Sequence, residues 1–242
     1  GFALGQWMLW NNIASTPVIT AATINADLDW VFLMGYNTYN FNSQTQTGQA
    51  SHEAMLYNNP AIGGGAEAWD IRGIRQYTAN GVDASRIVYG TSGEILSMTL
   101  ANPANNTPGS LVTSSSTTTP FNQMSAIYNS PRWDAVSQNS YWVNGNTWYS
   151  TDNYNSAVAK INYVKNMKGG GVGWYSSWNA ATNTGATSTA PPFEDWNRAF
   201  INLIGTGGVT ILPPPAPTLI NPTSFQAAVD PVAGLGVDRA TP

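Results

Sequence analysis

Cysteine is absent from the 242 residues, which excludes disulfide staples, thiolate metal sites and a cysteine nucleophile. There is a single histidine, so a Ser-His-Asp triad and a histidine-rich metal centre are not expected, and no metal or other cofactor is assigned. Charge is scarce too. With 9% charged residues and a net charge of -4, the chain has no basic surface to neutralise a phosphate backbone, and nucleic acid is not an expected partner. No stretch reaches the roughly 18 apolar residues needed to cross a bilayer, and the first residues lack the basic start of a secretory signal. The expectation is a soluble chain whose export signal, if it has one, lay upstream of Gly1.

What is present is a large apolar and aromatic fraction: 42% hydrophobic residues, with 10 Trp and 11 Tyr, enough for a substantial core. The polar balance rests on Asn, Thr, Ser and Gln instead of Lys and Glu, a mix met in exported proteins. A secreted or extracellular location, a virion surface included, is therefore expected.

Residues Phe2 to Trp10 read as a buried strand. Thr16-Pro17 opens a helix-compatible run from Val18 to Leu28, because Thr caps and Pro suits the first helical position. Trp30 to Met34 is a near-continuous apolar run, the pattern of a parallel strand covered on both faces. It gives way to the polar and aromatic Gly35-Tyr36-Asn37-Thr38-Tyr39-Asn40, and polar residues just past a buried strand are where barrel active sites sit. Ala68 to Ala79 reads as an amphipathic helix marked by Trp69, Ile71, Ile74 and Tyr77 and ended by Asn80-Gly81. Arg86 to Gly90 is a second buried strand.

The Ser/Thr/Asn/Pro tract from Asn102 to Thr119 reads as a long exposed loop. Tyr141 to Tyr149 alternates around Asn144-Gly145 as a hairpin does. Asp152 to Met167 is a helix with Val158, Ile161 and Val164 inward and Asp152 or Ser156 near its start. Gly169 to Tyr175 is a strand entered through a glycine turn. Pro192 to Ile204 is a helix with Phe193, Trp196, Phe200, Leu203 and Ile204 on one face. The period stops after Gly205. Residues 1–204 thus form one body with long loops, and 205–242 a Pro-rich extended tail able to dock on a neighbour as polyproline or an added strand.

Four of these segments, in order and with sensible spacing, resemble the last part of the glycoside hydrolase family 18, chitinase-type barrel. Phe32-Leu33-Met34-Gly35-Tyr36-Asn37 resembles the sixth-strand signature Met-x-Tyr-Asp. Ser51 to Tyr57 looks like the loop after it, and Tyr77 to Gly90 like the following helix end and seventh strand. Asp152 to Trp178, with Ser156, Lys160, Tyr163, the glycines and Trp174, resembles the last helix-to-strand unit. The match runs from about Trp30 to Ile204. The resemblance implies an α/β fold of (β/α)8 TIM-barrel type with only strands five to eight in this chain. Such a barrel needs about 250 residues, so the other half belongs to an N-terminal part or to a second chain. The family's acidic motif, Asp-x-x-Asp-x-Asp-x-Glu, has no match in the sequence, and Asn37 stands where the signature has Asp.

In that family the substrate's own acetamido oxygen attacks the anomeric carbon while a Glu protonates the leaving oxygen. The resemblance therefore implies chitin or an N-acetylglucosamine oligosaccharide as ligand. It casts Tyr36 as the catalytic hydroxyl that holds the acetamido oxygen, Trp174 as the apolar floor under the sugar, and Met34 and Asn37 as flanking substrate-binding residues. Each also fits a plainer role, Tyr36 as a core-edge tyrosine and Asn37 as a turn closer. His52 is read as a loop residue and not a catalyst, Glu94 as a solvated loop carboxylate, and Asp27 and Asp29 as a helix end in water. Trp7, Trp10, Trp142 and Trp148 fit either sugar stacking or core. A non-catalytic glycan-binding or structural module of an extracellular or viral assembly remains the alternative to a glycosidase.

Overall fold

A computed structural model of the chain describes residues 2–5, 20–42, 47–62, 72–117, 119, 121–175 and 191–204. Strands β1 (Phe2–Gly5), β2 (Val31–Met34), β5 (Ile87–Ser92) and β11 (Gly171–Tyr175) form a four-stranded sheet in the order β1-β2-β5-β11, every pair parallel. Helix α1 (Ala21–Asp27) connects β1 to β2, α2 (Arg72–Ala79) precedes β5, α3 (Tyr154–Asn166) precedes β11, and α4 (Pro191–Ile204) follows it. Parallel strands in chain order with helical crossovers are half of a (β/α)8 barrel, as the sequence implied.

Strand alternation divides the residues of this sheet. Val31, Leu33, Ile87 and Tyr89 are buried in one cluster with Ile24 of α1, Ile74 and Tyr77 of α2 and Val164 of α3. Phe32 occupies the opposite face. A Cβ added at Gly90 or Gly173 would come within 2.2 and 2.4 Å of its ring carbons, so glycine at both positions makes the space that ring fills. Helix α1 begins at Ala21, later than expected, because Thr20 caps it by accepting from the Thr23 amide at 3.1 Å. Residues Val18, Trp69, Ile71 and the tail 205–242 lie outside the described residues, as do Trp7 and Trp10.

The second sheet is not legible as a unit in the sequence. Its seven antiparallel strands run β3-β4-β7-β6-β10-β9-β8. The hairpin β3 (Asn40–Asn42) and β4 (Thr47–Gln49) comes from the segment after β2, whereas β6 (Leu96–Leu100), β7 (Leu111–Ser116), β8 (Arg132–Asp134), β9 (Asn139–Asn144) and β10 (Thr147–Ser150) come from the segment after β5. The expected loop over Asn102 to Thr119 is thus corrected. It is turns as far as Ser110 and then an interior strand paired with β4 on one side and β6 on the other.

Hydroxyl side chains pair on that strand and, at the buried Thr119, beyond its end. Ser114 Oγ donates to Thr99 Oγ1 at 2.7 Å, and the Thr119 hydroxyl to Ser97 Oγ at 2.6 Å. The expected hairpin is present, with Gly145 at φ 59° between β9 and β10. Its alternation splits the aromatics between two cores. Tyr141 and Trp148 join Leu96, Met98, Leu100 and Val112, while Trp142 and Tyr149 join Ile95, Phe121, Met124 and Tyr128. Trp142 and Trp148 are therefore core residues.

Candidate functional site at the end of the parallel strands

The parallel ladder runs one residue past β2, because the Gly35 amide donates to the Gly90 carbonyl at 2.8 Å. A Cβ on Gly35 would lie 2.5 Å from the Tyr89 ring, so only glycine lets the chain pass there and deliver Tyr36 to the strand end. Tyr36 is half-buried; Asn37 is exposed, with φ 57° in the left-handed region that Asn tolerates. Met34, half-buried, ends β2 in a row with Gly90 and Gly173. Trp174 pairs with Thr91, one position past that row, and its side chain lies outside the described residues. Met34, Tyr36 and Asn37 are thus gathered at the carboxyl end of β2, with Trp174 two strands away at the same end of the sheet.

Around them are groups that the sequence reading passed over. Glu53 is 1% exposed and accepts from the Asn37 amide through Oε1 at 3.1 Å. Burial first, and then the charge of Glu94, pushes its carboxyl well above the ordinary range, against the pull of the Asn37 hydrogen bond. Glu94, half-buried, belongs to this cluster and is not simply a solvated loop residue. Beneath it Asp152, buried, collects three donors. Lys160 Nζ bonds its Oδ1 at 2.5 Å, and Thr91 Oγ1 and Trp196 Nε1 bond Oδ2 at 2.5 and 3.2 Å. Burial lowers the Lys160 pKa and Asp152 opposes that. The helix start belongs to Asn153, which forms a capping box with Ser156, leaving Asp152 free to turn inward.

His52 is fully buried against the second sheet. Its Nε2 lies 2.9 Å from Asp134 Oδ2 and its Nδ1 3.3 Å from Ser150 Oγ. This has the outline of a Ser-His-Asp triad, yet Ser150 is buried, accepts from the Glu53 amide and donates to the Ser140 carbonyl, so it works as a rivet. Asp134 also accepts from Asn59 Nδ2 and from the amides of Val136 and Ser137. Burial alone would raise its pKa; the hydrogen bonds of His52 and Asn59, the pull of the His52 ring and the Ser137 bond outweigh that and hold it well below 3.8.

A depressed carboxyl stabilises the fold above its ordinary pKa, and the contribution is lost as pH falls from 3.8 toward the folded value. The urea midpoint of the chain is therefore expected to drop below about pH 4, and Asp134→Asn to flatten that drop. An unchanged slope in the variant would assign the acid sensitivity elsewhere. Among the described residues no three His, Asp or Glu side chains are placed to hold a metal ion, and no helix is long and apolar enough to cross a membrane.

The fold is shared with solved structures. A chitinase-like agglutinin from Robinia pseudoacacia is 22% identical, with 82% of this chain and 54% of that chain covered and a TM-score of 0.60. Class V chitinase from Nicotiana tobaccum is 19% identical, with 82% and 56% covered and a TM-score of 0.57. A GH18 chitinase from Cycas revoluta, in complex with (GlcNAc)3, is 22% identical, with 72% and 49% covered and a TM-score of 0.56. The chain spans about half the length of these structures. The family model described as glycosyl hydrolases family 18 matches residues 10–179, most of the chain, and with the half-barrel above it establishes that the protein belongs to that family.

Proposed function

We propose that this chain supplies the sugar-holding half of a chitinase-type site for β-1,4-linked N-acetylglucosamine polymers. The observation that supports this reading most is the grouping of Met34, Tyr36 and Asn37 at the carboxyl end of a parallel strand, where barrel sites form. The (GlcNAc)3 bound by the Cycas revoluta chitinase gives the ligand class.

In the proposed reaction the acetamido oxygen of the bound sugar attacks its own anomeric carbon as the glycosidic bond breaks. The leaving oxygen takes a proton from a Glu of the complementary half-barrel, and water then opens the cyclic intermediate with retention. Tyr36 would donate its hydroxyl hydrogen to the acetamido oxygen and steady the charge that develops as the ring closes. Asn37 would accept or donate beside it, and Trp174 would supply the floor. No acid from the missing motif is here, so the chain alone binds without turnover, and a second chain or an N-terminal half completes the barrel.

The alternative is a non-catalytic glycan-binding or structural module, favoured by the missing acidic motif and by Asn37 in the place of Asp. Titration calorimetry of the 242-residue chain with the N-acetylglucosamine tetramer is expected to give heat without cleavage. Joined to four βα units carrying the acidic motif, the barrel is expected to cleave the tetramer, and Tyr36→Phe to slow it by about 10²–10³-fold. Heat from the chain but no cleavage by the joined barrel would establish the binding module; no heat from either would leave a scaffold.

A further inference from the structure

Glu53 matches no residue of the strand signature, yet the turn after β2 hangs on it. Its Oε1 accepts from the Asn37 amide at 3.1 Å, and its carbonyl accepts from the Thr38 amide at 2.9 Å and from the Thr38 hydroxyl at 3.2 Å. Thr38 Oγ1 in turn accepts from the Met55 amide at 2.9 Å. The Glu53 amide donates to Ser150 Oγ at 3.3 Å, which ties the turn to β10 of the inserted sheet. Thus three hydrogen bonds from residues 37 and 38 converge on one buried acid whose other oxygen, Oε2, is buried with no hydrogen-bond partner among the described residues.

Among the described residues, four ionisable groups bear on this carboxyl. Glu94 follows β5, Asp152 precedes α3, Lys160 lies within α3, and Tyr39 follows β2. His52, the preceding residue, is engaged by Asp134. The one cation in this set, Lys160, is bound to Asp152 at 2.5 Å. An ionised Glu53 would therefore put a second carboxylate beside Glu94, its Oε2 without a hydrogen-bond partner among the described residues.

We propose that Glu53 is the positioning residue of the glycan site, fixing the Asn37 backbone and through it the direction of Tyr36. This rests on the reading of Tyr36 and Asn37 as sugar-contacting residues. The requirement is an acceptor at Oε1, which glutamine also supplies and alanine does not. Burial and Glu94 keep the proton on Glu53 above the ordinary carboxyl value of 4.5. The folded chain thus holds that proton more tightly than the unfolded one, and stability declines as pH rises from 4.5 through the folded value.

The test is the amide resonance of Asn37 in the ¹⁵N-labelled full chain, followed from acid to mildly alkaline pH. It is expected to titrate with a midpoint above 4.5 in the natural protein, to stop titrating in Glu53→Gln while keeping its low-pH position, and to move at every pH in Glu53→Ala. Tetramer affinity is expected to be retained in Glu53→Gln and to fall about tenfold in Glu53→Ala, the cost of one hydrogen bond. An Asn37 amide that ignores pH, or that titrates equally in Glu53→Gln, overturns the proposal. If the natural protein binds no tetramer, the glycan reading fails, and the Asn37 titration alone then decides whether Glu53 fixes the turn.

Discussion

Lys160→Met is expected to destabilise the chain by about 3–5 kcal/mol, because it strands a buried carboxylate. Lys160 and Asp152 are both buried, and their side chains meet at 2.5 Å. Methionine fills much of the lysine's volume, so the loss measures the unpaired charge more than a cavity. Asp152 would keep the Thr91 and Trp196 donors, which are too few for a carboxylate out of water. Adding Asp152→Asn removes the charge and leaves an amide oxygen for those two donors, and most of the loss is expected to return. Urea unfolding of both single variants and the double variant closes the cycle. A double variant no more stable than Lys160→Met would show that the lysine acts through packing.

The second large effect is expected at Trp148→Ala, about 3–5 kcal/mol for a fully buried tryptophan. Trp148 is 0% exposed, stacks on Tyr141 at 4.1 Å between ring centroids, and donates its indole N–H to the Ser51 carbonyl at 2.8 Å. Its removal opens a cavity and takes a donor from the carbonyl two residues before Glu53. The damage should therefore reach the turn at Asn37, and tetramer binding should weaken along with stability. Trp148→Phe keeps a ring without the N–H and is expected to lose much less. Thermal unfolding of both variants checks this, and equal losses in the two would place the weight on the hydrogen bond.

The parallel half of the fold was legible because its signals are local. Val31 to Met34 is an apolar run, and Ile161 and Val164 recur at helical spacing and are buried. The inserted sheet gave no such signal. In β7 only Val112 is buried, and β3 and β4 spell Asn40-Phe41-Asn42 and Thr47-Gly48-Gln49, which read as turns. These strands hold by pairing with distant partners, and pairing leaves little trace in composition.

The site divides in the same way. Tyr36 and Asn37 follow a recognisable strand, whereas Asp134 lies 82 positions from His52 and Thr91 lies 61 from Asp152. One trace was present. Ser156 and Lys160 stand four apart on the buried side of α3 beside Ala157 and Ile161, and polar groups on an apolar helix face call for buried partners.

The inserted sheet draws strands from two separate crossings of the barrel, β3 and β4 from one and β6 to β10 from the other. While the chain emerges from the ribosome, the first hairpin must wait for β7 before it gains its neighbour, and β5 must wait through the whole excursion and α3 before β11 arrives. Closing such long loops adds little to the equilibrium cost, since that cost grows only with the logarithm of loop length. It does slow the search, because non-local pairings form late and leave sheet edges open meanwhile. The edge that waits for β7 is β4, and its Thr47-Gly48-Gln49 offers an approaching chain little apolar surface to hold.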